Sequence, residues 1–183
     1  QEIGGVPRQE TLEDGMARLE REAQFLNERR RYLNSDAGVT AATAEYTALR
    51  EAVRSHAEQA KMTSPSLEIE IKQAGEQLVI VSTKISLAIG WRKKFANVLT
   101  GARVEARAYR GHPPFPGIIS FEEPTQVGSL TLEPDLSPPH HPSWKTSFSS
   151  KAEPVSSHDA AELLIRWWLG HVHKQLQRKW SEP

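Results

Sequence analysis

Between Gln77 and Gly111 the chain reads QLVIVSTKISLAIGWRKKFANVLTGARVEARAYRG, and no other stretch restricts the possible folds as strongly. Val79, Val81, Thr83, Ile85, Leu87, Ile89 and Trp91 are apolar or β-branched at alternate positions, so one extended chain would set them all on one face. The stretch predicts two long strands around one turn. The first far exceeds the usual length of about five or six residues, so a bend or bulge is expected near Ser82 to Lys84, or at Gly90. In the second strand Ala102, Val104, Ala106 and Ala108 alternate with Arg103, Glu105, Arg107 and Tyr109. That is the pattern of an antiparallel sheet with one buried and one wet face.

Two helical seams precede the strands. Leu12, Met16, Leu19, Ala23, Leu26, Arg30 and Leu33 recur at steps of four and three, and Val39, Ala42, Tyr46, Leu49, Val53, His56 and Ala60 repeat the pattern after NSDAG (34–38). Short connections force neighbouring helices to run antiparallel, so the spacing predicts a helical hairpin, for which an intermolecular coiled coil is the alternative. Arg30 and His56 fall where apolar residues are wanted; near helix ends they can snorkel to water, or they can contact a partner. Pro65 ends the second helix. Leu67, Ile69 and Ile71 then alternate with charged residues as a short strand leading into the central stretch.

Beyond Gly111 proline dominates, with eight of the twelve prolines between Pro113 and Pro142. GIISF (117–121) and VGSLTLE (127–133) read as edge strands or extended loop, and EPDLSPPHHP (133–142) as loop. Trp144, Thr146 and Phe148 form a last short alternation. A helix then starts at Ser156, whose hydroxyl can cap it while Asp159 meets the positive end of the helix dipole. Its first half, AAELLIRWWLG, is apolar over most of its circumference, so it should be covered on more than one side.

The 183 residues carry 23 Lys plus Arg and 23 Asp plus Glu, a balance that offers no overall attraction to nucleic acid or anionic membrane. Cysteine is absent, which excludes disulfides, thiolate nucleophiles and Cys-ligated zinc. No apolar run approaches the roughly 18 residues of a membrane span. The chain opens QEIGGVPRQE, without methionine, which leaves room for a segment removed upstream; a cytoplasmic location is slightly favoured.

Chemistry-bearing patterns are weak. Glu133, Asp135, His140 and His141 suit a divalent ion by type, but adjacent histidines on extended chain point oppositely, so no metal is assigned. His171 and His173 project roughly 200 degrees apart on a helix and cannot share an ion. Glu122 and Glu123 are neighbouring loop carboxylates, and neither a G-x-S-x-G elbow nor a phosphate-cradling glycine loop is present. No catalytic residue or cofactor is expected.

These readings converge on an α+β chain: an N-terminal helical hairpin or coiled coil (1–64), then an antiparallel β-meander of about five strands with a C-terminal helix packed on the sheet (65–183), or one continuous domain. The expected function is a non-catalytic protein–protein interaction or adaptor module. Its helices would mediate self-association, a homodimer being slightly favoured, or bind another protein. The candidate contact residues are Leu26, Arg30, Leu49 and His56 on the seams and Trp91, Arg92, Lys93 and Lys94 at the basic-aromatic hairpin. One alternative is an enzyme or small-molecule-binding domain with a pocket between sheet and C-terminal helix near Trp91, Trp144, Trp167 and Trp168. Another is nucleic-acid binding through residues 91–107, which the zero net charge disfavours.

Overall fold

The structure is a computed structural model that describes residues 10–117, 123–146 and 153–181. Two helices, α1 (Leu12–Leu33) and α2 (Asp36–Thr63), lead through a 3-10 turn into strands β1 (Glu70–Ala74), β2 (Gln77–Val81), β3 (Ser86–Arg92), β4 (Arg103–Arg110), β5 (Thr125–Ser137) and β6 (His141–Thr146), and the helix α3 (Ser157–Ser181) closes the chain. The strands form one sheet in sequence order, each antiparallel to the next. The fold is α+β, with six strands among the described residues where about five were expected.

The extra strand comes from the central stretch. Residues 77–91 are not one bent strand, because the chain reverses between Val81 and Ser86 and β2 pairs back on β3. Serine hydroxyls make the reversal possible: Ser82 N–H donates to Ser86 Oγ at 3.1 Å, and Ser82 Oγ donates to the Leu67 carbonyl at 2.9 Å. Side-chain oxygens here satisfy backbone donors that a ladder would otherwise serve. The reversal also shifts the faces. Leu78 and Ile80 lie opposite Ile89 and Leu87, whereas Val79 lies opposite Ala88. Val79 and Val81 therefore belong to a second apolar cluster with Ala88 and Tyr109, apart from Ile85, Leu87, Ile89 and Trp91 in the main core.

A second correction concerns 133–142, expected as loop. Glu133 to Ser137 end β5, His141 and Pro142 begin β6, and Pro138 to His140 form the turn of a hairpin. Proline is tolerated because Pro142 lies on the edge strand and Pro134 lies beyond the last β4 partner pair, Val104 with Leu132. The outer edge of β6 is covered at Trp144, which exchanges both backbone hydrogen bonds with Val155 at 2.8 and 2.7 Å. Of GIISF, 118–121 lie outside the described residues, as does Phe148.

Helices α2 and α3 lie on one face of the sheet and share its core. Val39, Ala42, Tyr46, Leu49, Val53 and Ala57 from α2, with Ala160, Ala161, Leu164, Ile165, Trp168 and Val172 from α3, join the inward rows of the strands in one cluster. Each fully buried leucine or isoleucine contributes about 1.5–3 kcal/mol. Polar groups pin the seams of this layer: Trp168 Nε1 donates to the Ile85 carbonyl at 2.7 Å, Trp144 Nε1 to Ser157 Oγ at 2.9 Å, and Ser157 Oγ to Glu45 Oε2 at 2.5 Å. The cap at Ser156 is present, its hydroxyl accepting from Asp159 N–H at 3.1 Å.

Helix α1 differs in kind, for it has no buried residue. It joins α2 through Asn34 and the N-cap Ser35, and Gly38 sits in the first turn of α2, not in the loop. A Cβ at Gly38 would overlap the Tyr32 carbonyl oxygen, so only glycine lets the helix ends approach this closely.

Candidate functional site

Among the described residues, two surfaces stand out for groups that the fold itself does not consume. The first is the outward stripe of α1. Leu12, Met16, Leu19 and Leu26 are 81, 62, 60 and 52% exposed, and Ala23 and Arg30 on the same stripe are exposed as well. The helix is held to the body through a different line, Phe25, Arg29 and Tyr32, and by Leu33 at the end of the stripe. Arg29 Nε and Nη2 donate to Asp135 Oδ1 and Oδ2 at 2.7 and 3.2 Å, and Asp135 Oδ1 also accepts from Leu136 N–H at 2.8 Å. This hydrogen bonding to a buried carboxylate raises the Arg29 pKa above its ordinary value. His140 Nδ1 lies 2.7 Å from Glu28 Oε2, and its ring lies 5.7 Å from that of Phe25. Leu33 O accepts from Leu99 N–H at 2.9 Å, so the β3–β4 loop grips the helix junction.

The expected pairing of the two helical seams therefore does not take place within the chain. The α2 seam faces the sheet and α3, and the α1 stripe faces outward.

The second surface is the sheet face opposite α2 and α3. The register places Ala88, Arg107 and Ser129 side by side, then Gly90, Glu105 and Thr131, then Arg92 and Arg103. The loop after β4 folds back over this face, where Gln77 Nε2 donates to the Pro114 carbonyl at 3.4 Å and Phe115 packs on the small apolar cluster. Between loop and strands lies a cleft of about 580 Å³, lined among others by Gly90, Arg92, Glu105, Arg107, Tyr109 and Phe115. Glu105 is surrounded by guanidinium groups: Arg103 Nη2 at 2.7 Å, Arg107 Nη2 at 3.1 Å and Arg92 Nε at 3.7 Å. The Arg107 pKa is pushed up, first by its hydrogen bond with Tyr109 and further by Glu105.

The residues singled out from the sequence are scattered over these environments. Leu26 and Arg30 lie on the exposed stripe. Leu49 is fully buried, so its apolar surface is already covered within the chain. His56 is half-buried beside the His158 ring at 5.9 Å, and Ala57 takes the buried place expected for it. Trp91 points into the core, stacking on Tyr46 at 5.9 Å and meeting Trp144 edge-on at 5.7 Å, with Nε1 donating to Thr43 Oγ1 at 3.2 Å. Arg92 points to the opposite face, because consecutive strand residues alternate. Lys93 and Lys94 are exposed in the following loop. Trp91, Trp144 and Trp168 are buried in packed core, and Trp167 is half-buried with its ring against His171.

Asp135 and His140 are engaged by α1, and among the described residues no group of three or more His, Asp or Glu side chains could hold a metal ion. His171 is half-exposed, its pKa lowered by burial and then by Lys174. Among the described residues no helix is long and apolar enough to cross a membrane.

Sequence reasoning grouped the arginines of residues 91–107 as a basic patch but missed the cleft, although its signal was legible: a glycine inside a strand, two positions from arginines on the next. No family model, no curated protein and no solved structure matches this chain.

Proposed function

We propose that the chain is a non-catalytic interaction module whose α1 pairs with the α1 of a second copy in antiparallel orientation. The observation that carries this reading is the outward stripe of Leu12, Met16, Leu19 and Leu26 on a helix with no buried residue. A helix about 33 Å long without one fully buried residue is marginal alone, and a contiguous apolar line at heptad spacing is stabilised when a second helix covers it.

Charge selects the occupant and its direction. Glu13 and Asp14 lie in the first turn of α1, and Arg30 and Arg31 in its last. A parallel copy would set like charges against each other and place Arg30 beside Arg30. An antiparallel copy sets acidic start against basic end, and brings Met16 of one chain opposite Leu26 of the other.

Light scattering over a concentration series tests this directly. A dimer is expected, and Leu19→Asp with Leu26→Asp should return it to monomer with an unchanged sheet signature in circular dichroism, since neither residue touches the core. A parent chain that stays monomeric at all concentrations would remove self-association.

A further inference from the structure

We propose that the cleft on the open sheet face binds a small organic anion, a planar aromatic ring bearing a phosphate or carboxylate. The floor is the first reason. Gly90 stands inside β3, where glycine weakens a strand, and a Cβ built on it would meet nothing within 4 Å. Beside it on the same face lies Ala88, so the strand offers two small residues in succession beneath open space. A cleft of about 580 Å³ above them falls in the size range of small-ligand sites.

Charge is the second reason. One carboxylate, Glu105, faces three guanidinium groups and cannot balance all of them. The side chains of Arg92 and Arg107 are 66 and 46% exposed and both line the cleft, so an entering anion needs no buried charge to be displaced. The other carboxylate at the rim, Glu76, lies 3.4 Å from Arg50. Planar guanidinium forks match carboxylate and phosphate oxygens in pairs. Tyr109 and Phe115, which belong to the small apolar cluster, give a ring its apolar wall. An anion held by Arg92 and Arg107 thus places its ring over Gly90 and Ala88.

Calorimetric titration of the full chain with phenyl phosphate tests the proposal, with inorganic phosphate and phenol as its separate halves and benzoate to distinguish phosphate from carboxylate. Saturable binding of phenyl phosphate or benzoate is expected, with each half at least about tenfold weaker. Arg92→Gln and Arg107→Gln should each weaken binding about tenfold or more, the effect of losing a charge-assisted hydrogen bond. Gly90→Leu should fill the floor and abolish binding with the fold intact by circular dichroism; if that variant does not fold, the two surface arginine variants decide. The proposal is overturned if neither aryl anion binds saturably, if inorganic phosphate binds as tightly as phenyl phosphate, or if folded Gly90→Leu binds like the parent. A (dT)12 oligonucleotide that binds far more tightly than phenyl phosphate and is lost in the arginine variants would make the face a nucleic-acid surface and likewise overturn it.

Discussion

Two tyrosines, Tyr46 fully buried and Tyr32 half-buried, show how position decides what one hydroxyl does. Tyr46 OH donates to the Glu76 carbonyl and its ring stacks on Trp91, whereas Tyr32 OH has no hydrogen-bond partner among the described residues. Tyr46→Phe is therefore expected to cost about 1 kcal/mol in denaturant titration, and Tyr32→Phe to be close to neutral, since no bond is lost and no partner is orphaned. Burial is the main cause that raises both phenols, Tyr32 to about 12 and Tyr46 further. In the unfolded chain a tyrosine ionises near about pH 10, so above that pH the folded state holds protons that the unfolded state has released. The stability linked to these groups is fully present below about pH 10 and is lost as pH rises through about 12 and beyond. A urea series from pH 8 to 12 should show the decline, and the double phenylalanine variant should flatten it. At Trp168, fully buried with its indole N–H bonded to Ile85 O, alanine is expected to cost about 3–5 kcal/mol. Trp167→Ala, at a half-buried site, should cost less, and equal melting temperatures for the two would refute the packing of α3 on the sheet.

Among the elements, α1 is held by a side-chain clasp, and only its last turn, at Tyr32 and Leu33, packs against the core. Its clasp is the fork of Arg29 on Asp135, whose side chain is 7% exposed, with the exposed pair Glu28 and His140 beside it. Removing Arg29 leaves a buried carboxylate without its cation, which costs more than removing one member of an exposed pair. Arg29→Ala should raise amide exchange along 12–33 by the equivalent of about 1–3 kcal/mol, and Glu28→Ala should change it little. Exchange in β3 and β4 should be unaffected by either. If Arg29→Ala left α1 as protected as in the parent, some other contact would have to hold the helix.

For the whole molecule, the common core of α2, the sheet and α3 implies that these elements lose structure together. Thermal unfolding followed by tryptophan fluorescence and by far-ultraviolet dichroism should give coincident main transitions. Limited trypsin digestion should cut first at Arg18 or Arg21, both exposed on α1, and leave the remainder folded. If α1 pairs with a second copy, that cut should slow as protein concentration rises, because covering the stripe removes access to its backbone. Cleavage in β3 or β4 before α1 would contradict this ranking.

Much of the local structure was legible in the residues themselves. The alternation of Val104, Ala106 and Ala108 with Arg103, Glu105 and Arg107 carries its own strand and faces, and Ser156 with Asp159 carries its own helix start, because both depend on neighbours in sequence. The α2 seam was likewise readable, save that Ala57 and not His56 is buried. Three things required the assembled fold. The reversal at 82–85 depends on serine hydroxyls meeting the Leu67 carbonyl, a partner 15 residues away, so strand periodicity alone ran through it. The prolines of 133–142 were compatible with strands only at a sheet edge, and edges exist only once the sheet does. The two helical seams were alike as heptads, yet one is buried and the other is exposed up to Leu33. A periodic stripe declares that it can be covered, whereas the choice of cover is made by competition among all the apolar faces of the chain, and the sheet and α3 took α2.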